Sequence, residues 1–114
     1  MLSVTVAAFT TGYQKYNAEV GKTAVVRCQI NNIPDFPQWI FYFPNQTSIR
    51  ATITEVFNPS IPSYGRIEWV DGKHLEIRSV TWADQGRFFC QDGKNATWNV
   101  QLVVTGASMN IFNQ

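Results

Sequence analysis

Apolar and polar residues alternate with a period of two along most of this chain, and no long stretch repeats its apolar positions with the 3.6-residue spacing of a helix. Residues 23–30 show the pattern clearly, because Ala24, Val26 and Cys28 fall on one side of the predicted strand and Arg27 on the other. Cys28 is therefore expected to point into the core. The alternation predicts an all-β protein.

Turn-forming residues divide the chain into short predicted strands. Asp71-Gly72 is a strong hairpin signal between two of them, and no composition shift or internal repeat marks a domain boundary. Short strands separated by frequent turns predict a two-layer sandwich or a barrel. The predicted strands cover residues 4–9 (a first edge strand), 23–30, 38–43, 48–57, 66–70, 74–78, 87–91 and 98–105.

Composition restricts the function classes. The 114 residues carry 9 Lys plus Arg against 8 Asp plus Glu, which gives a net charge of +1, and 45% of them are hydrophobic. This balance offers no basic surface for nucleic acid or for an anionic membrane, so a protein partner is expected. One histidine and two cysteines leave little material for a metal site or a catalytic triad. We therefore expect no enzymatic activity, no cofactor and no metal.

Cys28 and Cys90 are far apart and share no CxxC spacing. A structural disulfide is the simplest interpretation, and two buried reduced thiols in a cytosolic protein are the alternative. Two N-glycosylation acceptor sites, at Asn45 and Asn95, lie in loop-like stretches and weakly favour an extracellular protein.

Residues 1–9 lack the basic start and the unbroken apolar run of a secretory signal, and no segment reaches the length of a membrane span. If the protein is extracellular, we expect this chain to be an excised ectodomain that begins at an expression start.

Several motifs occur together in the order in which they stand in the immunoglobulin superfamily, and the resemblance covers residues 4–105. Residues 19–28 resemble the family's turn and B strand, and Trp39 stands where its core tryptophan stands. Leu75-Glu76-Ile77 followed by Val80 resembles the E strand. Residues 84–90, Asp-Gln-Gly-Arg-Phe-Phe-Cys, resemble the Asp-x-Gly-x-Tyr-x-Cys corner.

The resemblance implies a two-sheet antiparallel Greek-key sandwich of variable type (V-set-like), with residues 1–106 as the domain and residues 107–114 as a linker or disordered tail. It implies that a Cys28–Cys90 disulfide ties the sheets together and that Arg66 pairs with Asp84. The core positions that it implies are Trp39, Leu75, Ile77 and Phe88.

Three departures from the family pattern stand out. Phe88 replaces the corner tyrosine, so the hydroxyl bond that normally holds the corner must be replaced by another contact. The last strand lacks the Gly-x-Gly bulge of antibodies and T-cell receptors, which argues against a rearranged receptor. After Trp39 the usual polar continuation is replaced by Ile40-Phe41-Tyr42-Phe43, which makes the outward positions of this strand bulky and apolar.

In such a sandwich the C, C′, F and G strands form one sheet, and variable-type cell-surface domains usually pair through its outer face. One interpretation of this face is that it has no binding role and carries only scattered exposed apolar side chains, or is partly covered by loops. The other interpretation is that the face is an interface for another cell-surface protein, either an immunoglobulin-like protein or a second copy of this chain. Such an interface would serve adhesion, immune recognition or allorecognition. Strand parity places on this face Ile40, Tyr42, Phe89, Gln91, Gln101 and Val103.

A glycan-binding or lipid-binding domain of the same fold is the competing function. Its candidates are Arg87, which could face outward like the F-strand arginine of sialic-acid-binding lectins, and Asp92, which could offer oxygens to calcium at the last hairpin. A solvated charge and a plain hairpin turn are the default interpretations of these two residues. His74 is expected to be a surface residue of its strand.

Overall fold

The computed structural model describes residues 10–43, 49–53, 57–94 and 96–106. Within these ranges the chain forms eight strands and one short 3-10 turn, which covers Trp82–Asp84. The strands are β1 (Thr10–Glu19), β2 (Ala24–Val26), β3 (Gln38–Phe43), β4 (Ile49–Ile53), β5 (Ile67–Val70), β6 (His74–Ile77), β7 (Gly86–Gln91) and β8 (Ala96–Thr105).

The strands form two sheets. One has five strands in the order β1-β8-β7-β3-β4, and the other has three in the order β2-β6-β5. Neighbouring strands run antiparallel except for β1 and β8, which run parallel. The sheets enclose one continuous apolar core. The predicted all-β sandwich is confirmed.

Strand β1 differs most from the prediction. The expected first strand at residues 4–9 lies outside the described residues, whereas Thr10–Glu19, which had no predicted strand, is a ten-residue strand. Its sequence is largely polar because it lies at the edge of the sheet and is held by pairing with β8. Strand β2 is shorter than predicted and ends at Val26, although Cys28 and Ile30 are still buried. The expected tail, residues 107–114, also lies outside the described residues.

The core is built around the link between the two sheets. Cys28 and Cys90 are joined by a disulfide with a Cα–Cα distance of 6.0 Å. Trp39 lies opposite Cys90 on the neighbouring strand, and its indole N–H donates a hydrogen bond to the Lys73 carbonyl at 3.1 Å. Four implied core residues have no exposed surface: Trp39, Leu75, Ile77 and Phe88.

Arg66 joins the turn before β5 to the corner before β7. Its guanidinium donates to both carboxylate oxygens of Asp84, each at 3.0 Å, and also to the carbonyls of Pro62, Arg78 and Ser79. The carboxylate of Asp84 also accepts the Thr81 N–H at 2.8 Å. Asp84 is fully buried, so these bonds compensate for the loss of water around its charge.

The corner is held without a tyrosine hydroxyl. The Phe88 ring packs inside the core against Phe41 and Phe43, with centroid distances of 5.0 and 5.9 Å. The side-chain oxygen of Gln85 accepts the Val104 N–H at 2.9 Å and thereby links the corner to β8.

Within the described ranges, no helix has the length and apolar character needed to cross a membrane.

Candidate binding face

The register of the five-stranded sheet brings a row of side chains together across four strands. Ile40 lies opposite Phe89, Phe89 opposite Asn99, and Asn99 opposite Tyr13. Residues that lie opposite each other on neighbouring strands share a side of the sheet. Phe88 and Cys90, on either side of Phe89 in β7, are buried in the core. The row that contains Phe89 therefore lies on the opposite side of the sheet, which we call the outer face.

A second row lies beside the first. Tyr42 is opposite Arg87, Arg87 is opposite Gln101, and Gln101 is opposite Lys15. The remaining two predicted residues flank these rows, with Gln91 opposite Gln38 and Val103 opposite Asn17. The register therefore places all six predicted interface residues on one face: Ile40, Tyr42, Phe89, Gln91, Gln101 and Val103.

An aromatic pair occupies the centre of the outer face. The ring of Tyr42 meets that of Phe89 edge to face, with a centroid distance of 5.7 Å and an interplanar angle of 82°. Tyr42 is 40% exposed, and Phe89 is half-buried. Ile40 is only 8% exposed, so its side chain offers little surface for contact with a partner. Gln91, Gln101 and Val103 are half-buried.

Tyr13 belongs to this face and was not predicted. It is 58% exposed, and its hydroxyl donates a hydrogen bond to the side-chain oxygen of Gln101. Sequence analysis missed it because β1 was not recognised as a strand. The sequence gives little signal for it, because Thr10–Glu19 carries polar and aromatic residues on both of its sides.

Asn99 carries an unsatisfied polar atom on the outer face. Its side-chain oxygen is buried and has no hydrogen-bond partner among the described residues. It lies between Phe89 and Tyr13 in the first row, so neighbouring rings flank it on both sides.

The residues considered for glycan or lipid binding have different surroundings. Arg87 is exposed on the outer face and forms no ion pair with any residue in the described ranges. Asp92 instead closes its own hairpin, since one carboxylate oxygen accepts the N–H groups of Lys94 and Ala96 at 2.7 and 3.2 Å. No cluster of three potential metal ligands occurs in the described part of the chain.

His74, which was expected to be a surface residue of its strand, also holds a backbone hydrogen bond. It is half-buried, and its Nδ1 accepts the backbone N–H of Cys28 at 3.0 Å. Burial lowers the pKa of His74, and the nearby Arg27 lowers it further. The difference arises because the chain beyond β2 continues beside the start of β6, where Cys28 meets His74, and alternation within one strand does not reveal this contact.

The two predicted glycosylation acceptors follow β3 and β7 in the sequence. Asn45 and Asn95 both lie outside the described residues. The hairpin between β7 and β8 is described at Asp92–Lys94, where the Asp92 carboxylate stabilises the turn.

No family model matches the chain, and no curated protein matches it. Several solved structures, however, are similar to it. The extracellular domain of the voltage-gated sodium channel beta4 subunit, described as a parallel homodimer that explains a role in cell–cell adhesion, is 18% identical with a TM-score of 0.57, and the match covers 100% of this chain and 99% of that one.

Two mouse proteins are also similar. The extracellular portion of mouse CD200RLa is 17% identical with a TM-score of 0.61; the match covers 81% of this chain but spans only 55% of that one. The first immunoglobulin domain of the mouse polymeric immunoglobulin receptor is 16% identical with a TM-score of 0.58, and the match covers 81% of this chain and 89% of that one. The fold is therefore immunoglobulin-like and of the variable type, as the sequence motifs predicted.

Proposed function

We propose that this chain is an extracellular recognition domain that binds another cell-surface protein through its outer face. The observation that carries the proposal is the Tyr42–Phe89 pair, an aromatic cluster that is partly exposed at the centre of a regular sheet. Aromatic residues are enriched at the desolvated centre of protein interfaces, where hot spots concentrate.

The surroundings of the aromatic pair support this function. Gln91 and Gln101 place polar groups beside the rings, as the polar rim of an interface does. These side chains stand on strands joined by continuous ladders, so the backbone beneath them is ordered before a partner arrives and less ordering entropy is lost on binding.

Adhesion and receptor proteins with this fold support the choice of a protein partner. The sodium channel beta4 domain is described as a homodimer in cell–cell adhesion, and CD200RLa is represented by its extracellular portion. The Cys28–Cys90 disulfide suits an oxidising compartment. We therefore propose an immunoglobulin-like protein or a second copy as the partner, in adhesion, immune recognition or allorecognition.

Glycan binding is the second candidate, and Arg87 is the observation that favours it. The guanidinium is exposed on the same face, with Tyr42 and Gln101 as its neighbours across the ladders. A carboxylate of a sugar would suit it. The occupied carboxylate of Asp92 gives no comparable support to a calcium-assisted lipid site.

The test is a binding screen of the glycosylated domain against itself, a cell-surface ectodomain library and a glycan array, followed by substitution. Tyr42→Arg and Phe89→Arg should each weaken protein binding by about 30-fold or more, because each buries an unpaired charge at the contact. Tyr64→Arg is the matched control, since Tyr64 is an exposed tyrosine away from this sheet. Thr97→Ala, which removes the Asn95 acceptor, should matter less.

Two outcomes contradict the proposal. One is binding that survives both arginine substitutions in folded protein. The other is unfolding caused by those substitutions, because the two side chains would then belong to the core. Binding to sialylated glycans that is abolished by Arg87→Ala would favour the second candidate.

A further inference from the structure

Strand β1 forms one edge of the five-stranded sheet, and no described strand pairs with its outer side. Two contacts show which of its backbone groups face β8. The Val20 N–H donates to the Thr105 carbonyl at 2.8 Å, and the Ala18 carbonyl accepts the Thr105 hydroxyl at 3.3 Å. Even-numbered residues therefore turn their backbone groups toward β8.

The odd-numbered residues of β1 turn theirs the other way, because successive residues of a strand direct their N–H and C=O groups to opposite edges. Lys15, Asn17 and Glu19 thus present backbone donors and acceptors along the outer edge. Strands of this length at a sheet edge are templates for pairing with another chain unless something blocks them.

The charges on β1 specify one pairing register. Lys15 and Glu19 lie on the same side of the sheet and flank Asn17 symmetrically. In an antiparallel pair of two β1 strands with Asn17 opposite itself, Lys15 of each copy lies opposite Glu19 of the other. Opposite charges placed directly across a ladder are stabilising, and like charges are destabilising. A register centred on Lys15 or on Glu19 sets like charges together.

We propose that two copies of this chain pair antiparallel along β1 about a two-fold axis at Asn17. The partner is a second copy because one register provides both ion pairs and joins outward-facing backbone groups. The carbonyl of Glu19 already accepts the Lys22 N–H at 3.0 Å, but a carbonyl has a second lone pair for the added strand.

There is also space on the side of the proposed β1–β1 pair that lies away from the outer face. Gln14 and Tyr16 line a cleft of about 320 Å³ between β1 and β2, together with Val25, Arg27 and Val100. The Tyr16 hydroxyl accepts the Val25 N–H at 3.3 Å across this seam. In the proposed register, Ala18 of the second copy lies opposite Tyr16 and its Val20 opposite Gln14. Ala18 is small and remains buried in the core of its own copy, so it does not obstruct the approach of the second strand.

This inference goes beyond the proposed function, because it concerns the edge of the sheet and not the aromatic pair. A two-fold axis perpendicular to the sheet leaves the outer faces of both copies on the same side. Pairing would therefore create one continuous ten-stranded sheet that displays the Tyr42–Phe89 pair twice.

The experiment is sedimentation equilibrium of the full chain across a wide concentration range. The wild-type chain should form a dimer whose dissociation constant rises with salt. Lys15→Glu and Glu19→Lys should each raise that constant about tenfold or more, and the double exchange Lys15→Glu/Glu19→Lys should restore it. Lys22→Glu is the matched control, because Lys22 is an exposed lysine just beyond β1.

A second variant removes a backbone donor instead of a charge. Asn17→Pro deletes an N–H that faces away from β8, and proline is tolerated on the free side of an edge strand. It should abolish the dimer while the domain remains folded by circular dichroism.

Three results would overturn the proposal. The first is a chain that stays monomeric at every concentration, and the second is a dimer that the single charge changes leave intact or that the double exchange does not restore. The third is a dimer lost in Tyr42→Arg but unaffected at Lys15 and Glu19. That result would place self-association on the outer face and would support the proposed function while it excludes edge pairing.

Discussion

Gly86 lies against the backbone of Tyr42 so closely that a Cβ atom built on it would stand 2.2 Å from the Tyr42 carbonyl oxygen. The same atom would lie 3.1 Å from the ring of Phe43. Because the nearest obstacle is backbone inside β3, it cannot swing aside as a flexible side chain can. The glycine of the corner motif is thus required by the approach of two neighbouring strands.

Gly86→Ala should therefore lower the free energy of unfolding by about 3 kcal/mol, the upper end of the usual cost of overpacking, because the atoms in the way are fixed. Gly21→Ala is the control, since Gly21 has a positive φ but open space around its Cβ position, and it should cost only about 1–2 kcal/mol. Urea denaturation measures both variants. Equal losses at the two positions would show that β3 moves away to accommodate a methyl group.

The Arg66–Asp84 pair should be worth much more to stability than a surface ion pair. Asp84→Ala should cost about 3–5 kcal/mol, because it leaves a guanidinium without its carboxylate beside three carbonyls. Lys73→Ala removes an ion pair in which the Asp35 side chain is 67% exposed, and it should cost about 1 kcal/mol or less. Similar melting temperatures for the two variants would contradict this ranking.

Loss of the disulfide should destabilise the domain by about 4 kcal/mol, the value that the chain-entropy model gives for a loop of this size. The measurement compares the wild-type chain with Cys28→Ala/Cys90→Ala in urea. Mass spectrometry of protein secreted from eukaryotic cells should detect no free thiol. Free thiols in that material would contradict the disulfide and would also argue against the proposed extracellular location.

His74 should make the domain less stable in acid. Burial, with Arg27 adding to it, places the pKa of His74 below its ordinary value in the folded chain. The unfolded chain therefore takes up a proton more readily, so stability is greatest above the ordinary pKa of about 6.5 and falls as the pH drops through it. Protonation of Nδ1 would also remove the acceptor for the Cys28 N–H.

Urea midpoints measured between pH 7.5 and pH 5.5 test this dependence. His74 is the only histidine of the chain, so few other groups titrate in this range. His74→Asn keeps a side-chain acceptor but does not titrate, and its midpoint should change less with pH. An equal pH dependence in both proteins would show that another group is responsible.

The sequence predicted the strands whose two sides differ in polarity. Alternation placed Phe88 and Cys90 inward and Phe89 outward, and the register agrees at each of these positions. Strand β1 lacks such contrast, because residues such as Tyr13 and Lys15 are held by pairing with β8, which is distant in sequence. Pairing between distant segments leaves little trace in local composition.

The candidate site was predictable in outline for the same reason. Parity assigned Ile40 and Tyr42 to one side, but it could not show that Ile40 is almost enclosed while Tyr42 stays exposed. That difference depends on how neighbouring side chains pack. The contact of His74 with the Cys28 N–H likewise depends on the approach of two segments from different parts of the chain.

Strand β8 is held on both sides, by β7 in an antiparallel ladder and by β1 in a parallel one that spans ten residues. Hydrogen bonds of both ladders cross between the strands and do not run along them. A tensile force transmitted along the chain beyond Thr105 would load these bonds in shear, so that many must fail together. If the domain binds through its outer face, as proposed, the attachment would resist pulling better than one in which the hydrogen bonds open one at a time.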